Sequence, residues 1–301
     1  MRILVLGGTG YLGRHVAARL RALPDTRILA AGRSSAADFR IDLAGDRPEQ
    51  LAKTLAAAAP DAVVNCAGAT GGDAVTLAEA NARGPAALCA ALREAAPTAR
   101  LVHLGSAAEY GPGTPGVPVT ETAPACPVTP YGATKLAGTV AVTSAALDAV
   151  VLRIGNPVGP GAPRAGLPGR MAALLRSAGT DPEAVLRLGD LSAHRDFVDV
   201  RDVADAAALA ATRPGILPPV LNIGGGTAVP VRELVQGLAR RAGFRGRVAE
   251  DTRGSARSAA VSWQCSDITA AARALGWRPA HDLDAALDAL WAAGAGNGPL
   301  P

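Results

Sequence analysis

Tyr131 and Lys135 stand four residues apart in PYGATKLAG, Pro130 to Gly138, a spacing that puts both side chains on one face of a helix, one turn apart. A tyrosine that ionises near pH 10 is a poor acid or base at neutral pH until a neighbouring cation favours its phenolate. The type of that cation is informative. Of thirty Lys plus Arg in the chain, two are lysine and twenty-eight arginine, so a lysine here escapes a strong bias. A compact ammonium with rotatable donors supports a phenolate better than a planar guanidinium does. Twenty-five residues upstream, Ser106 closes the apolar run RLVHLGS, where its hydroxyl either bonds a carbonyl oxygen or caps the strand end. Ser106, Tyr131 and Lys135 are the catalytic candidates, and their chemistry is proton transfer at a carbonyl. His103, inside the same run, reads as a buried packing residue.

A second constellation lies at the start. VLGGTGYLG places Gly7, Gly10 and Gly13 in the spacing G-x-x-G-x-x-G, directly after an apolar run and opening a helix. Glycines there permit a tight turn and close approach of backbone to a pyrophosphate, and the helix N-terminus offers N–H groups to the anion. Gly7, Thr9, Gly10, Tyr11, Leu12 and Gly13 are therefore assigned to a dinucleotide. At the end of the second strand, where an NAD-binder carries Asp or Glu for the ribose 2′-hydroxyl, the chain has AAGRSS. Arg33 and Ser34 suit a 2′-phosphate, so NADP(H) is expected ahead of NAD(H); the alternative for Arg33 is a solvated surface side chain. Asp42 and Leu43 read either as an adenine contact or as a plain strand-end turn. Cys66, Ala67 and Gly68, in NCAG, fall where ligands bind at the carboxyl edge of an open sheet. Lys135 is expected to bond the ribose as well as to support Tyr131.

Short β-rich runs alternate with alanine-rich amphipathic stretches that predict helices over about 11–23, 47–58, 74–96 and 131–147. Parallel strands need such long crossovers, so the expected fold is α/β, a doubly wound parallel sheet (Rossmann fold) with a smaller interleaved C-terminal lobe. Residues 1–155, completed by about 195–225, form the expected cofactor domain, and 156–194 with 226–301 the substrate lobe. After Ile154 a Gly- and Pro-rich loop leaves the sheet; RDFVDV and VLNIGG follow as strands, with a helix capped at Asp202. Helices at 231–241, 267–275 and 283–292 offer too few residues for a core of their own.

Composition narrows the class. With hydrophobic residues at 49% and charged residues at 19%, the chain reads as globular, and disorder is not indicated. The formal charge of +4 is spread without a basic run, so nucleic acid is not expected as a partner. The four cysteines and four histidines show no metal-ligand spacing. The start passes from Met1-Arg2 straight into ILVL, too short for a signal-peptide core, and no run of about eighteen apolar residues occurs. A cytoplasmic location with no membrane partner is expected.

GGTGYLG, the N-x-x-G at Asn81 to Gly84, GSAAEYG, YGATK, RIGNPVGPG, HRDFVDVRDVADA, LNIGGG and LGWRP occur in that order along nearly the whole chain. In these motifs the chain resembles an extended short-chain dehydrogenase/reductase of the NAD(P)-dependent epimerase/dehydratase family. The resemblance implies that Ser106 holds the carbonyl, Tyr131 transfers the proton and Lys135 lowers the tyrosine pKa while nicotinamide exchanges hydride. It adds Asn81 to the cofactor residues and implies a homodimer through helices 74–96 and 131–147.

Sugar-nucleotide dehydratases of this kind carry acids one and two positions after the catalytic Ser or Thr. Here those positions are Ala107 and Ala108, which transfer no proton and read as substrate-lining only. EYG, Glu109 to Gly111, resembles the branch that reduces 4-keto-6-deoxy sugar nucleotides. Asn156 and Arg195 match positions that contact a diphosphate, with strand-end packing or a surface ion pair as the alternative, and Arg253 or Arg257 in TRGSARS only loosely match the nucleotide arginine. The expected activity is NADPH-dependent reduction of a nucleotide-linked 4-keto sugar. A C4-epimerase, a ketoreductase of a non-nucleotide natural product and a non-catalytic NADP-sensing protein are the alternatives.

Overall fold

Buried parallel strands need residues that fill both faces, and the runs RILVL, AVVN and AVVLRI supply them without a polar alternation. The computed structural model describes residues 1–250 and 261–294. Seven strands, β1 (Arg2–Leu6), β2 (Arg27–Gly32), β3 (Phe39–Arg40), β4 (Ala62–Asn65), β5 (Arg100–Ser106), β6 (Ala149–Ile154) and β10 (Val220–Ile223), form one sheet in the order β10-β6-β5-β4-β1-β2-β3. All its pairings are parallel. The chain runs outward from β1 to β3 and then returns to β4 on the other side of β1. The crevice beyond β1 and β4 is thus the switch point at which such sheets bind ligands.

Helices cover both faces, as expected. Ile3 and Val5 of β1 point into a core with α1 (Tyr11–Arg21), α7 (Val200–Thr212) and α9 (Thr269–Leu275). Leu4 and Leu6 point the other way, toward α2 (Pro48–Ala58), α4 (Gly84–Ala95) and α5 (Pro130–Thr143). The helix expected over 74–96 is interrupted: α3 (Ala74–Ala78) passes through a π turn, Glu79–Arg83, into α4. The wider turn buries Asn81 and aims its side chain sideways into the fold.

Two further expectations are corrected. The cap of α7 is Asp199, which accepts from Arg201 N at 2.7 Å. Asp202 lies buried within that helix and anchors a later segment: its Oδ1 faces His281 Nδ1 at 2.8 Å, and its carbonyl accepts from Trp277 Nε1 at 2.9 Å. The C-terminal elements, expected to lack a core, enclose one with help from a helix the sequence did not reveal. β7 (Asn156–Val158), β9 (His194–Asp199) and β11 (Ala228–Pro230) form a small sheet, and β8 (Val185–Leu188) pairs with β12 (Arg247–Glu250). α6 (Leu167–Ala178), α8 (Val231–Arg241) and α10 (Leu283–Ala293) bury Met171, Leu175, Leu234, Leu238 and Leu287 among them. α7 and β10 complete the main sheet layer, while β9 pairs within the small sheet and packs its Val198 in the main core.

A buried carboxylate ties β9 to the main sheet. Asp196 Oδ1 accepts from Gly225 N at 2.6 Å and Gly226 N at 3.0 Å, just beyond β10, and Oδ2 accepts from Ser266 N at 2.9 Å. Burial pushes this carboxyl up to about 6 against the pull of those donors. Every contact needs an acceptor, so Asp196→Asn sets an amide N–H against one N–H donor. It is expected to cost about 1–3 kcal/mol in urea unfolding; unchanged stability would show that the tie is replaceable.

Candidate active site

The turn after β5 and the first turns of α5 bring the catalytic candidates together. Ser106 ends β5 and its Oγ accepts from Ala108 N at 3.2 Å, the strand-end cap. Thr129 caps α5 by accepting from Gly132 N at 3.1 Å, and Pro130 opens the helix where its missing N–H costs nothing. A Cβ on Gly132 would lie 2.5 Å from Ala108 O, and one on Gly138 2.2 Å from Asn81 O. Glycine lets α5 close onto the Ser106 turn at one end and onto the π turn at the other.

Tyr131 is half-buried on the first turn of α5. One turn on, Lys135 is only 5% exposed and its Nζ donates to Leu104 O at 2.5 Å, beneath the end of β5. Burial pulls the Lys135 ammonium down to about 8, opposed by the carboxylate of Glu109 and by Cys66. Burial likewise pushes the Cys66 thiol up to about 12, so the thiol is no nucleophile at neutral pH. His103 is fully buried, as expected of a packing residue. Its Nδ1 lies 3.1 Å from Asn65 Nδ2, its Nε2 has no partner among the described residues, and burial and nearby Lys135 hold it well below its ordinary range. An amide N–H facing Nδ1 assigns the imidazole proton to Nε2.

The residues at the switch point fit a dinucleotide. Gly7 has φ +73°, and a Cβ on Gly13 would lie 2.1 Å from Gly7 O, so only glycines build this cradle. No side chain caps α1 at Gly10 and no acid sits in its first turn, leaving the positive end of the helix for an anion. Thr9 is exposed beside it, while Leu12 packs on the core and Tyr11 points its hydroxyl toward Gly159 O at 3.5 Å. Arg33 and Ser34 are exposed at the end of β2, and Asp38, the next carboxylate along the chain, is engaged by Ala30 N at 2.7 Å. Cys66, Ala67 and exposed Gly68 follow β4 into the crevice.

Three residues assigned to the cofactor also make contacts within the protein. Asn81 donates to Ala69 O at 2.8 Å and to Thr134 Oγ1 at 3.3 Å and accepts from Ala69 N at 2.9 Å. Both its N–H groups are occupied by the protein, and it fixes the loop that faces the crevice. Asp42 Oδ1 accepts from Ala44 N at 3.2 Å, which is the turn alternative, and Leu43 packs its side chain in the core.

On the substrate side, Ala107 is buried and Ala108 half-buried beside Ser106. Asn156 donates to Asp196 O at 3.2 Å and to Gln264 Oε1 at 3.3 Å, and Gln264 Nε2 donates to Ala107 O at 2.9 Å. Asn156 is thus a link between lobe and sheet, and Gln264, which no local motif announces, is the other half of it. Arg195 is largely buried on β9 and donates to His194 O at 2.8 Å. Arg253 and Arg257 lie outside the described residues. Glu109 is wholly buried and paired with Arg153 at 2.8 Å, an ion pair that spans forty-four positions and leaves no signal in spacing. Among the described residues no group of three His, Cys, Asp or Glu side chains could hold a metal ion, and no helix is long and apolar enough to cross a membrane.

Known proteins with this site can now be set beside it. Residues 3–224 match the model of the NAD dependent epimerase/dehydratase family. The chain is similar to dTDP-6-deoxy-L-talose 4-dehydrogenase (NAD(P)(+)) of Kitasatospora kifunensis, 39% identical over 304 residues that cover 97% of this chain and 95% of that protein. It is also similar to UDP-glucose 4-epimerase of Azospirillum brasilense, 30% identical over 93% of this chain and 88% of that one. Among solved structures, RMD from Pseudomonas aeruginosa complexed with NADPH superposes with a TM-score of 0.84 at 25% identity, covering 97% of this chain and 98% of that one. MoeE5 in complex with UDP-glucuronic acid and NAD superposes at 0.85 with 26% identity, covering 98% and 99%. The glycine cradle, the Ser106, Tyr131 and Lys135 cluster and a family match over three quarters of the sequence agree: this chain is an NAD(P)-dependent enzyme of the epimerase/dehydratase family of short-chain dehydrogenases/reductases.

Proposed function

We propose that this enzyme uses NADPH to reduce the 4-keto group of a nucleotide-activated deoxy sugar. The observation that carries the reading is the composition of the site: Ser106, Tyr131 and Lys135 converge while Ala107 and Ala108 offer no acid to drive an elimination. The exposed Arg33 and Ser34 corner favours a 2′-phosphate, and a relative acting as a dTDP-6-deoxysugar 4-dehydrogenase supports both the nucleotide and position C4. C4-epimerisation is the second reading, favoured by the epimerase relatives.

When bound, the nicotinamide supplies the hydride. The protein's part is to hold and protonate. Ser106 Oγ donates to the ketone oxygen and polarises the carbonyl. Tyr131 delivers the proton that turns the developing alkoxide into an alcohol, and the resulting phenolate is stabilised by the Lys135 ammonium one turn below. Leu104 O fixes Nζ, so the charge sits under the phenol without side-chain wandering. Residues 1–155 with about 195–225 serve the cofactor and 156–194 with 226–301 the sugar nucleotide. Two copies pair through α4 and α5, where Val140 is exposed, and the enzyme works in the cytoplasm.

NADPH oxidation is expected with TDP-, GDP- or UDP-4-keto-6-deoxy sugars; activity only on unactivated ketones overturns the substrate, and retained cofactor without NADPH consumption favours the epimerase. Tyr131→Phe is expected to lose at least about a thousandfold in kcat with NADPH affinity nearly unchanged, and ordinary turnover in this variant refutes the assignment. Lys135→Arg, neutral by charge count, should be similarly crippled because the guanidinium does not fit the buried slot. Since the ammonium is lost as pH rises through about 8, kcat/KM for reduction should be level below that pH and fall above it. A profile flat to pH 10 would contradict the role of Lys135.

A further inference from the structure

We propose that Glu109 is a positioning residue of this site: a single buried carboxylate sets the end of β5 that carries Ser106 and serves as counter-charge to the ammonium of Lys135. The proposal rests on the reading of Ser106, Tyr131 and Lys135 given above. Glu109 is completely buried. Its Oε1 accepts from Ser106 N at 2.7 Å, and its Oε2 accepts from Thr139 Oγ1 and from Arg153 Nε, both at 2.8 Å. Ser106 Oγ and the Glu109 carboxylate close a reciprocal cap around the turn 107–109, so the carboxylate fixes the Ser106 backbone from which the hydroxyl projects.

Thr139 lies one turn beyond Lys135 on the same face of α5. Two successive turns of that helix are therefore fastened to the end of β5, one through Lys135 to Leu104 O and one through Thr139 to Glu109. The spacing between Ser106 on the strand and Tyr131 on the helix is set by those two ties. Arg153, from β6, neutralises the far side of the carboxylate and stacks 4.3 Å from the Tyr110 ring. The groups acting on Lys135 are Glu109 after β5, Cys66 after β4 and His103 on β5, with Tyr131 on its own helix. Of the first three, Cys66 and His103 are held neutral at physiological pH by burial. Glu109 is left as the negative partner. If the Glu109–Arg153 pair were structural alone, two apolar side chains of similar volume would replace it without loss.

The chain has two lysines, so 13Cε-lysine labelling of the full-length, cofactor-free protein yields two signals, and exposed Lys53 is an internal reference. In the wild type the Lys135 signal is expected to titrate at about pH 8. Glu109→Gln should lower that midpoint by at least about half a unit with Lys53 unmoved, and lower kcat at least about tenfold with the NADPH KM nearly constant. Should Glu109→Gln fail to fold with Arg153 left unpaired, the double variant Glu109→Gln/Arg153→Met removes both charges. It should recover thermal stability while keeping the lowered Lys135 midpoint and the low kcat. An unmoved Lys135 midpoint, or a double variant with wild-type kcat, overturns the proposal. The titration requires no turnover, so a wild-type protein inactive on every sugar nucleotide would overturn the proposed function and leave the Glu109 result standing.

Discussion

Everything at this site depends on keeping one ammonium dry. Taking Lys135 out of water penalises its charge, and the fold offsets that penalty with a carbonyl at 2.5 Å and a carboxylate in the turn that follows. The same desolvation makes the charge effective over short distances, because a buried charge is screened less than one in water. The geometry around Lys135 follows from this need: α5 must approach β5 closely, which Gly132 and Gly138 permit and which the π turn before α4 accommodates.

Hydrogen bonds to backbone atoms join the small sheet and the segment at Ser266 to the main sheet. Asp196 gathers three N–H groups from beyond β10 and from the segment at Ser266, and Asn156 and Gln264 carry the linkage on to Ala107 O, beside Ser106. The segment at Gln264 is thereby registered against the turn after Ser106 through a chain of polar contacts with fixed directions.

How legible the molecule is in its sequence depends on the range of the interaction. Local constraints are plain: Gly7, Gly10 and Gly13 announce the cradle, the Tyr131 and Lys135 spacing announces a shared helix face, and Pro130 announces the start of α5. The sheet and both helical faces follow from alternation of apolar runs. Nonlocal constraints are silent. The Glu109–Arg153 pair, the Gln264 link and the Asp196 tie join residues tens of positions apart, and nothing in the local pattern distinguishes their members from surface polar residues. Asn81 is visible as a motif, but its bonds to Ala69 and Thr134 are not, because they depend on the π turn. Asp202 misled for the reverse reason. It has the composition of a cap, yet a better placed Asp199 takes that work and frees it to hold His281.

The central claim is electrostatic: a buried lysine makes one tyrosine ionise where the others do not. The chain holds three tyrosines, and burial pushes Tyr11 and Tyr110 upward, so neither of these two competes with a phenolate formed at low pH. An ultraviolet difference titration of the native protein measures this directly. One tyrosine should ionise below about pH 9, and its signal should vanish in Tyr131→Phe. Absence of phenolate until about pH 10 or above, or a low-pH signal that survives the substitution, would contradict the account.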